Sequence, residues 1–289
     1  MIIRNHNSGN NDLHNTYPPK PIQTIIFSYL YGKKGYMDEY PRAFSKFYDN
    51  FCTELRGSED LQFFLDRIAN AGGKILEIGV GTGRIFYPAI KSGADIYGID
   101  NSPYMLNILE NKLSPQERFR VSLQDVRDFT INERFSLIIA PFRVFSHLLG
   151  TEDQKQALQN VAKHLEPGGG FIFDLFVPNL KLLAQGIDRQ LDFEGEHQHG
   201  MPLRRLVSMS ADLVKQISDV TFNLEWKEHG KWHFEEWSTQ IRFFFRYEIE
   251  HLIQLSPLTL EQIYGGYRQQ TLDKDSQEFV IVCKKKEQV

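Results

Sequence analysis

The sequence predicts an α/β fold: a mostly parallel sheet with helices on both faces, interrupted after its fifth strand by an antiparallel β insertion. Three observations predict it. Short apolar runs alternate with helix-length stretches between residues 74 and 176, and strand–helix units of that length build parallel sheets. A cluster of glycines, ILEIGVGTGR at 75–84, follows the first run. After residue 200 the hydrophobic pattern changes to strict alternation, the mark of strands with one buried face.

Taken in order, KILEIG (74–79) reads as a buried strand, residues 84–91 as the following helix, and ADIYGID (94–100) as the second strand. Ser102 stands at a helix N-cap with Pro103 at the first helical position, where its missing N–H costs nothing. FRVSLQD (119–125) and SLIIAPF (136–142) are two more strands. Thr151 with Gln154 forms a capping-box signature. The helix behind it carries an apolar stripe of Ala157, Leu158, Val161, Ala162 and Leu165. Pro167 and residues 168–170, all glycine, are expected to stop that helix before the fifth strand, FIFDLF (171–176).

Val220, Phe222, Leu224 and Trp226 then alternate with polar neighbours, and Trp237, Thr239, Ile241, Phe243 and Phe245 with mostly polar ones. The intervening Glu228-His229-Gly230-Lys231 marks an antiparallel hairpin. Its rings read mainly as a sheet core, some of them available to line a ligand site. The insertion is expected at about 200–246. A short helix near 247–254 and strands near 259–267 and 278–284 complete the main sheet, with Arg246 and Tyr247 returning towards the pocket.

The 289 residues, 41% hydrophobic and 24% charged, allow one large domain or two small ones. A net charge of -4 offers no broad basic excess to neutralise phosphates, which argues against a nucleic-acid partner. The lysine run at 284–286 reads as a solvated strand end. Cys52 and Cys283 are too few for a disulfide framework or a structural zinc site and fit a reducing compartment. No apolar run approaches membrane-spanning length, and the polar amino terminus MIIRNHNSGNNDLHNTYPPKP lacks an apolar signal core. The expectation is a cytoplasmic protein with no membrane partner and a flexible segment at 1–20.

Glycine costs about 1 kcal/mol relative to alanine inside regular structure. Gly79, Gly81 and Gly83 therefore point to a turn whose backbone comes close to something. In open parallel sheets ligands bind beyond the carboxyl ends of the strands, so a nucleotide-like ligand is expected there. The spacing G-V-G-T-G, preceded by Glu77, differs from the G-x-G-x-x-G of dinucleotide folds and disfavours an NAD-dependent reductase. Asp100 ends the second strand, where a carboxylate can accept both hydroxyls of a ribose.

With E-I-G-V-G-T-G-R and G-I-D-N-S (98–102), the chain resembles the class I S-adenosylmethionine-dependent methyltransferases. QDVRDF (124–129), APFRVFSHL (140–148), HLEPGGGFIFDLFVPN (164–179), IYGGY (263–267) and FYDNF (47–51) resemble its small-molecule branch, over about residues 36–286. The resemblance implies a Rossmann-like, mostly parallel seven-stranded sheet, a methyltransferase domain at 71–286 and an N-terminal helical lid at 21–70. It implies S-adenosylmethionine as cofactor, S-adenosylhomocysteine as product, and no metal.

Residue by residue, it places Gly79, Gly81 and Gly83, with Thr82 in the same turn, against the methionine part of the cofactor. Glu77 would orient that loop or reach the amino group, and Asp100 would bind the ribose hydroxyls. Asn101 and Met105 would border the adenine, Asp125 would accept from its exocyclic amine, and the Val126 N–H would meet a ring nitrogen. Residues 141–147, Phe142 among them, would line the site beside the sulfonium, and Tyr48 would reach the carboxylate end. Other readings stand beside these: Met105 as a core residue, Tyr48 as packing for the N-terminal helix, Asp125 as a strand-end turn residue. Arg84 reads as a capping or pairing residue.

A methyl group on a positive sulfur is already activated, so the protein must align an acceptor, exclude water and deal with one proton. No triad or metal cluster is needed, and the sequence shows neither. His147, after the fourth strand, is the candidate base, with a packing histidine as the alternative. Asp174, among apolar residues of the fifth strand, reads either as a carboxylate holding an amine acceptor or as one bonding backbone N–H groups. The expected function is methyl transfer to a small or peptide-like metabolite at an amine nitrogen. An O-methyltransferase and a catalytically inactive S-adenosylmethionine-binding protein are the alternatives, and RNA methylation is disfavoured by the charge. No residue pattern encodes the acceptor's identity or an oligomeric state.

Overall fold

The structure is a computed structural model that describes residues 40–55 and 57–287. The flexible segment expected at 1–20, and the part of the 21–70 lid before residue 40, lie outside the described residues.

The described residues begin with helices α1 (Arg42–Leu55) and α2 (Glu59–Ala69). It then alternates β1 (Ile75–Ile78), α3 (Phe86–Lys91), β2 (Ile96–Asp100), α4 (Pro103–Lys112), β3 (Val121–Leu123) and β4 (Phe135–Ala140). A 3₁₀ turn, Val144–His147, leads to α5 (Thr151–His164), β5 (Leu165–Phe176) and α6 (Leu180–Gln185). Four strands of the insertion follow: β6 (Ile187–Gln198), β7 (Met201–Asp212), β8 (Ile217–Glu228) and β9 (Lys231–Arg242). Then α7 (Arg246–Gln254), β10 (Leu258–Tyr264) and β11 (Glu278–Lys285) close the domain.

The main sheet runs in the order β10-β11-β5-β4-β1-β2-β3, and β11 is antiparallel to both of its neighbours. All four residues of β1 are buried, as a parallel strand covered on both faces requires. On one face Phe64 of α2, Phe86 of α3 and Leu109 of α4 pack over Ile75, Ile139 and Ile172. On the other, Leu158 and Val161 of α5 and Ile253 of α7 cover Leu76, Ile138 and Phe173.

Ser102 caps α4 as expected, its hydroxyl accepting from the Met105 N–H at 3.3 Å. The capping box at α5 does not form. Gly150 holds the N-cap position, and the Gln154 side chain donates instead to the Leu148 carbonyl at 2.8 Å. Nor do Pro167 and the glycines separate helix from strand. The helix ends at His164, and β5 runs through them with a register shift opposite Phe135 and Leu137. A Cβ on Gly169 would stand 3.0 Å from the carbonyl oxygens of Glu166 and Phe135, so the missing side chain admits this close strand approach.

The insertion is a four-stranded antiparallel meander in the order β6-β7-β8-β9. It starts at Ile187, well before the region read from alternation. Strand β6 is mostly exposed and departs from regular register three times, so its sequence carries no clean alternation. The β8–β9 hairpin turns through His229 and Gly230, both at positive φ (50° and 76°), as a type I′ turn demands. Strand β9 stops at Arg242, so Phe243 and Phe245 belong to the connection into α7 rather than to the strand. The inner face of the meander packs Leu203, Leu224, Trp226 and Trp237 onto Phe44, Phe47 and Phe51 of α1. Among the described residues no helix is long and apolar enough to cross a membrane.

Candidate functional site

The turn after β1 is anchored on the second strand. The N–H groups of Gly79 and Val80 both donate to the Ile99 carbonyl, at 2.8 and 3.0 Å. Its three glycines all have positive φ (70°, 54° and 87°), yet they serve different ends. A Cβ on Gly79 would stand 2.3 Å from Val144 Cγ2, and one on Gly83 would stand 2.4 Å from Leu109 Cδ1. Those two let the turn pack on the 3₁₀ turn and on α4. A Cβ on Gly81 would meet only the Gly79 carbonyl oxygen, at 3.9 Å. Gly81 is therefore the glycine that faces open space.

Two buried acids stand near the ends of the strands on which the turn rests, Glu77 in β1 and Asp100 in β2. Asp100 Oδ2 accepts from the Gly81 N–H at 2.7 Å and Oδ1 from the Ser102 N–H at 2.8 Å. Each oxygen keeps a further lone pair. Burial raises the pKa of Asp100 against the opposing pull of those N–H bonds. Glu77 is 2% exposed, and its Oε2 has no hydrogen-bond partner among the described residues. Burial first, and then the charge of Asp100, push its pKa well above the ordinary value, with Arg84 opposing. Such a pair stands ready for a cation or a cluster of donors.

The residues beside the glycines tie the turn to the N-terminal helices. Thr82 Oγ1 donates to Asp49 of α1 at 2.6 Å, and Lys112 of α4 donates to the same carboxylate at 2.6 Å and to the Thr82 carbonyl at 2.8 Å. Arg84 pairs with Asp60 of α2 through bonds of 2.6 and 2.8 Å and lies 5.1 Å from the Phe142 ring centre. Thr82 thus serves a helix contact in this structure. Asp60 and Lys112 carried no sequence signal, because their partners are distant in the chain.

Met105 is 2% exposed within the helix core, and Asn101 is exposed at the mouth of α4. Gln124 N donates to the Asp100 carbonyl at 2.9 Å, which brings Asp125 and Val126 beside the end of β2. Partial burial would raise the pKa of Asp125, but Arg127 wins, clasping it through bonds of 2.8, 2.8 and 2.7 Å and holding it below the ordinary carboxylate value.

A cavity of about 690 Å³ opens under α1 and the meander, and neither the glycine turn nor Glu77 or Asp100 lines it. Phe142, Arg143, Ser146 and His147 line it from the parallel domain, Tyr40 from just before α1, Phe44 and Tyr48 from α1 itself, and Phe222, Trp237 and Thr239 from the meander. The Tyr48 and Phe142 ring centres stand 6.4 Å apart, and the half-buried His147 ring lies 6.3 Å from Tyr40. Tyr48, Phe142 and His147 are thus brought together. Phe142 and Arg143 both adopt left-handed φ, 67° and 60°, which for a bulky residue is strain.

Asp174 holds that strained turn. It is fully buried; Oδ1 accepts from the Arg143 N–H at 2.7 Å and Oδ2 accepts from the Tyr267 hydroxyl. It does not line the cavity. The picture of Asp174 as a carboxylate holding an amine gives way to one in which it bonds backbone and tyrosine. Arg246 and Tyr247 also stand away from the cavity, Arg246 paired with Glu250 at 2.8 Å and Tyr247 67% exposed.

A seven-stranded sheet with one antiparallel strand slotted between β5 and β10, a glycine turn after β1 and an acid ending β2 give the chain the fold of the class I S-adenosylmethionine-dependent methyltransferases. Residues 75–169 match the family described as a methyltransferase domain. Over 144 residues the chain is 30% identical to the glycine/sarcosine N-methyltransferase of Aphanothece halophytica, covering 48% of this chain and 54% of that protein. Over 218 residues it is 24% identical to the cypemycin N-terminal methyltransferase of a Streptomyces species, covering 74% of this chain and 84% of that one. The chain thus spans about half the length of the first of these relatives. The crystal structure of an S-adenosylmethionine-dependent methyltransferase from Clostridium acetobutylicum shares the fold, with a TM-score of 0.71 at 18% identity, over 85% of this chain and all of that one.

Proposed function

We propose that this protein transfers a methyl group from S-adenosylmethionine to an amine nitrogen of a small or peptide-like acceptor seated in the cavity under α1 and the meander. One observation carries the reading: a buried Glu77 oxygen has no partner among the described residues, and the acid whose charge acts on it, Asp100, holds the one glycine of the turn that faces open space. The residues suit the cofactor. Glu77 accepts from its amino group, relieving the repulsion between two buried acids, and Asp100 uses its remaining lone pairs for the ribose hydroxyls. Asp125 and the Val126 N–H meet the adenine edge, bordered by Asn101.

When bound, the cofactor supplies a methyl carbon on a positive sulfur, which keeps the electrons of the broken S–C bond as S-adenosylhomocysteine forms. Tyr48 and Phe142 close over the reacting centre and exclude water. The neutral amine gives its lone pair to the new N–C bond, and a ring nitrogen of His147 takes up the proton that the methylated nitrogen releases. Asp174 keeps the turn before His147 in its left-handed form. One of the relatives compared above is named an N-methyltransferase and the other an N-terminal methyltransferase, which supports an amine rather than a hydroxyl acceptor. The net charge of -4 supports a small molecule or peptide over a nucleic acid.

Calorimetry with S-adenosylmethionine and S-adenosylhomocysteine, followed by a product-release assay over panels of small amines and hydroxyl compounds, tests this. Saturable binding with release driven by amines is expected. Release driven only by hydroxyl compounds would move the reading to O-methylation, binding without release would point to a cofactor sensor, and no binding of either ligand would refute it.

A further inference from the structure

Arg205 on β7 lines the cavity and is held on several sides. Its guanidinium lies 4.7 Å from the Phe51 ring centre and 5.0 Å from that of Phe222. Nε and Nη2 donate to the two carboxylate oxygens of Asp192 on β6, at 3.0 and 2.7 Å. The side chain is 12% exposed, and Nη1 donates to no described residue. Three of its five N–H donors therefore remain. A guanidinium fixed by a bidentate carboxylate and two aromatic faces loses little freedom when it binds, which is the condition for a strong and selective contact.

We propose that Arg205 reads a neutral carbonyl oxygen on the acceptor, so that the substrate of the proposed methyl transfer is an amine bearing an amide or peptide group. The inference rests on the methyl-transfer reading. The choice of a neutral oxygen over a carboxylate follows from Asp192. That carboxylate already offsets the charge of Arg205, so a second one would gain little attraction and would meet repulsion from Asp192. A carbonyl oxygen accepts from the free N–H groups without that repulsion. Beside Arg205 the cavity wall is aromatic: the Phe222 and Trp237 rings are stacked with centres 5.7 Å apart, and Phe44 stands 4.6 Å from Trp237. These faces suit a flat or apolar group next to the amide.

The test is calorimetry on the full chain saturated with S-adenosylhomocysteine, using phenylalaninamide, phenylalanine and 2-phenylethylamine as probes. Phenylalaninamide is expected to bind at least tenfold more tightly than 2-phenylethylamine, which lacks the carbonyl, and more tightly than phenylalanine. Arg205→Met should erase the preference over 2-phenylethylamine while S-adenosylhomocysteine affinity stays unchanged. Arg205→Lys, which keeps a cation in the same stem, should lose most of that preference and serves if the methionine variant does not fold. Asp192→Asn should swing the preference towards phenylalanine.

A preference that survives both Arg205 variants, a wild-type preference for phenylalanine, or failure of all three probes to bind would each overturn the inference. Intact S-adenosylhomocysteine binding in those cases leaves the methyltransferase reading standing. Loss of cofactor binding in the wild-type chain removes both.

Discussion

Thr82 and Asp49 meet across the junction between the glycine turn and α1, the hydroxyl donating to the carboxylate at 2.6 Å while Lys112 grips the other carboxylate oxygen, also at 2.6 Å. The helix that walls the cavity is thereby fastened to the turn proposed to carry the cofactor. Asp49 has half of its side-chain surface exposed, so solvent weakens the fastening. Asp49→Ala should lower stability by less than about 1 kcal/mol, reduce S-adenosylhomocysteine affinity several-fold and speed amide exchange across Tyr40–Leu55. Exchange in that helix should also slow in the wild-type chain when S-adenosylhomocysteine binds. Unchanged exchange in both comparisons would show that α1 and the turn are uncoupled.

The glycines should separate by what each one touches. Gly83→Ala drives a Cβ into Leu109, and Gly79→Ala drives one into Val144, so both should lower the melting temperature. Trimming the neighbour, as in the Gly83→Ala/Leu109→Ala pair, removes the overlap while adding its own cavity cost, so the two changes should be less than additive. Gly81→Ala meets no such neighbour and should cost only the strain of its positive φ, about 1–2 kcal/mol, while sharply weakening cofactor binding. A Gly81 variant that binds S-adenosylmethionine normally would remove the turn from the site.

Glu77 links pH to stability with a definite sign. Its folded-state pKa lies well above the ordinary 4.5, from burial first and from the charge of Asp100 second. Between 4.5 and that raised value the unfolded chain has already lost the proton that the folded chain keeps, so stability falls as pH rises through this window. Glu77→Gln should flatten that fall and make the ligand-free protein more stable above about pH 5, while weakening S-adenosylmethionine. Thermal melts from pH 4 to 8, with and without the ligand, would show both halves. A variant that is less stable than wild type throughout would contradict the burial argument.

The parallel half of the fold was legible because its signals are local. The β1 run, the Ser102–Pro103 cap and the glycine turn each announce themselves within a few residues, and each formed where the sequence put it. What escaped depends on partners far along the chain. Strand β6 exists because β7 pairs with it, not because residues 187–198 alternate. The glycines at 168–170 read as a stop, yet the neighbouring strand β4 draws them into β5. Asp60 and Arg205 are ordinary surface residues in the sequence and become fixed groups only when Arg84 and Asp192 are brought to them. For Asp174 the sequence left two readings open, an amine holder or a backbone acceptor, because Tyr267, 93 residues later, is invisible from its neighbours.

That last contact separates two roles for Asp174 by experiment. If it held the amine, Asp174→Ala would raise KM for amine acceptors and leave the melting temperature nearly unchanged. The geometry argues otherwise: both oxygens are engaged by Arg143 and Tyr267, and the Phe142–Arg143 pair needs an anchor for its two left-handed residues. Losing a buried hydrogen bond to a charged group costs about 1.5–3 kcal/mol, so Asp174→Ala should lower the melting temperature by several degrees. It should also reduce kcat alike for every acceptor, because the turn that carries His147 relaxes, with a smaller effect on S-adenosylmethionine affinity. Tyr267→Phe removes one of the two contacts and should reproduce part of both losses, whereas Asp174→Asn keeps an acceptor for the Arg143 N–H and should do less harm than alanine. Stability and kcat that hold in Asp174→Ala while KM for the amine climbs would restore the amine-holding role.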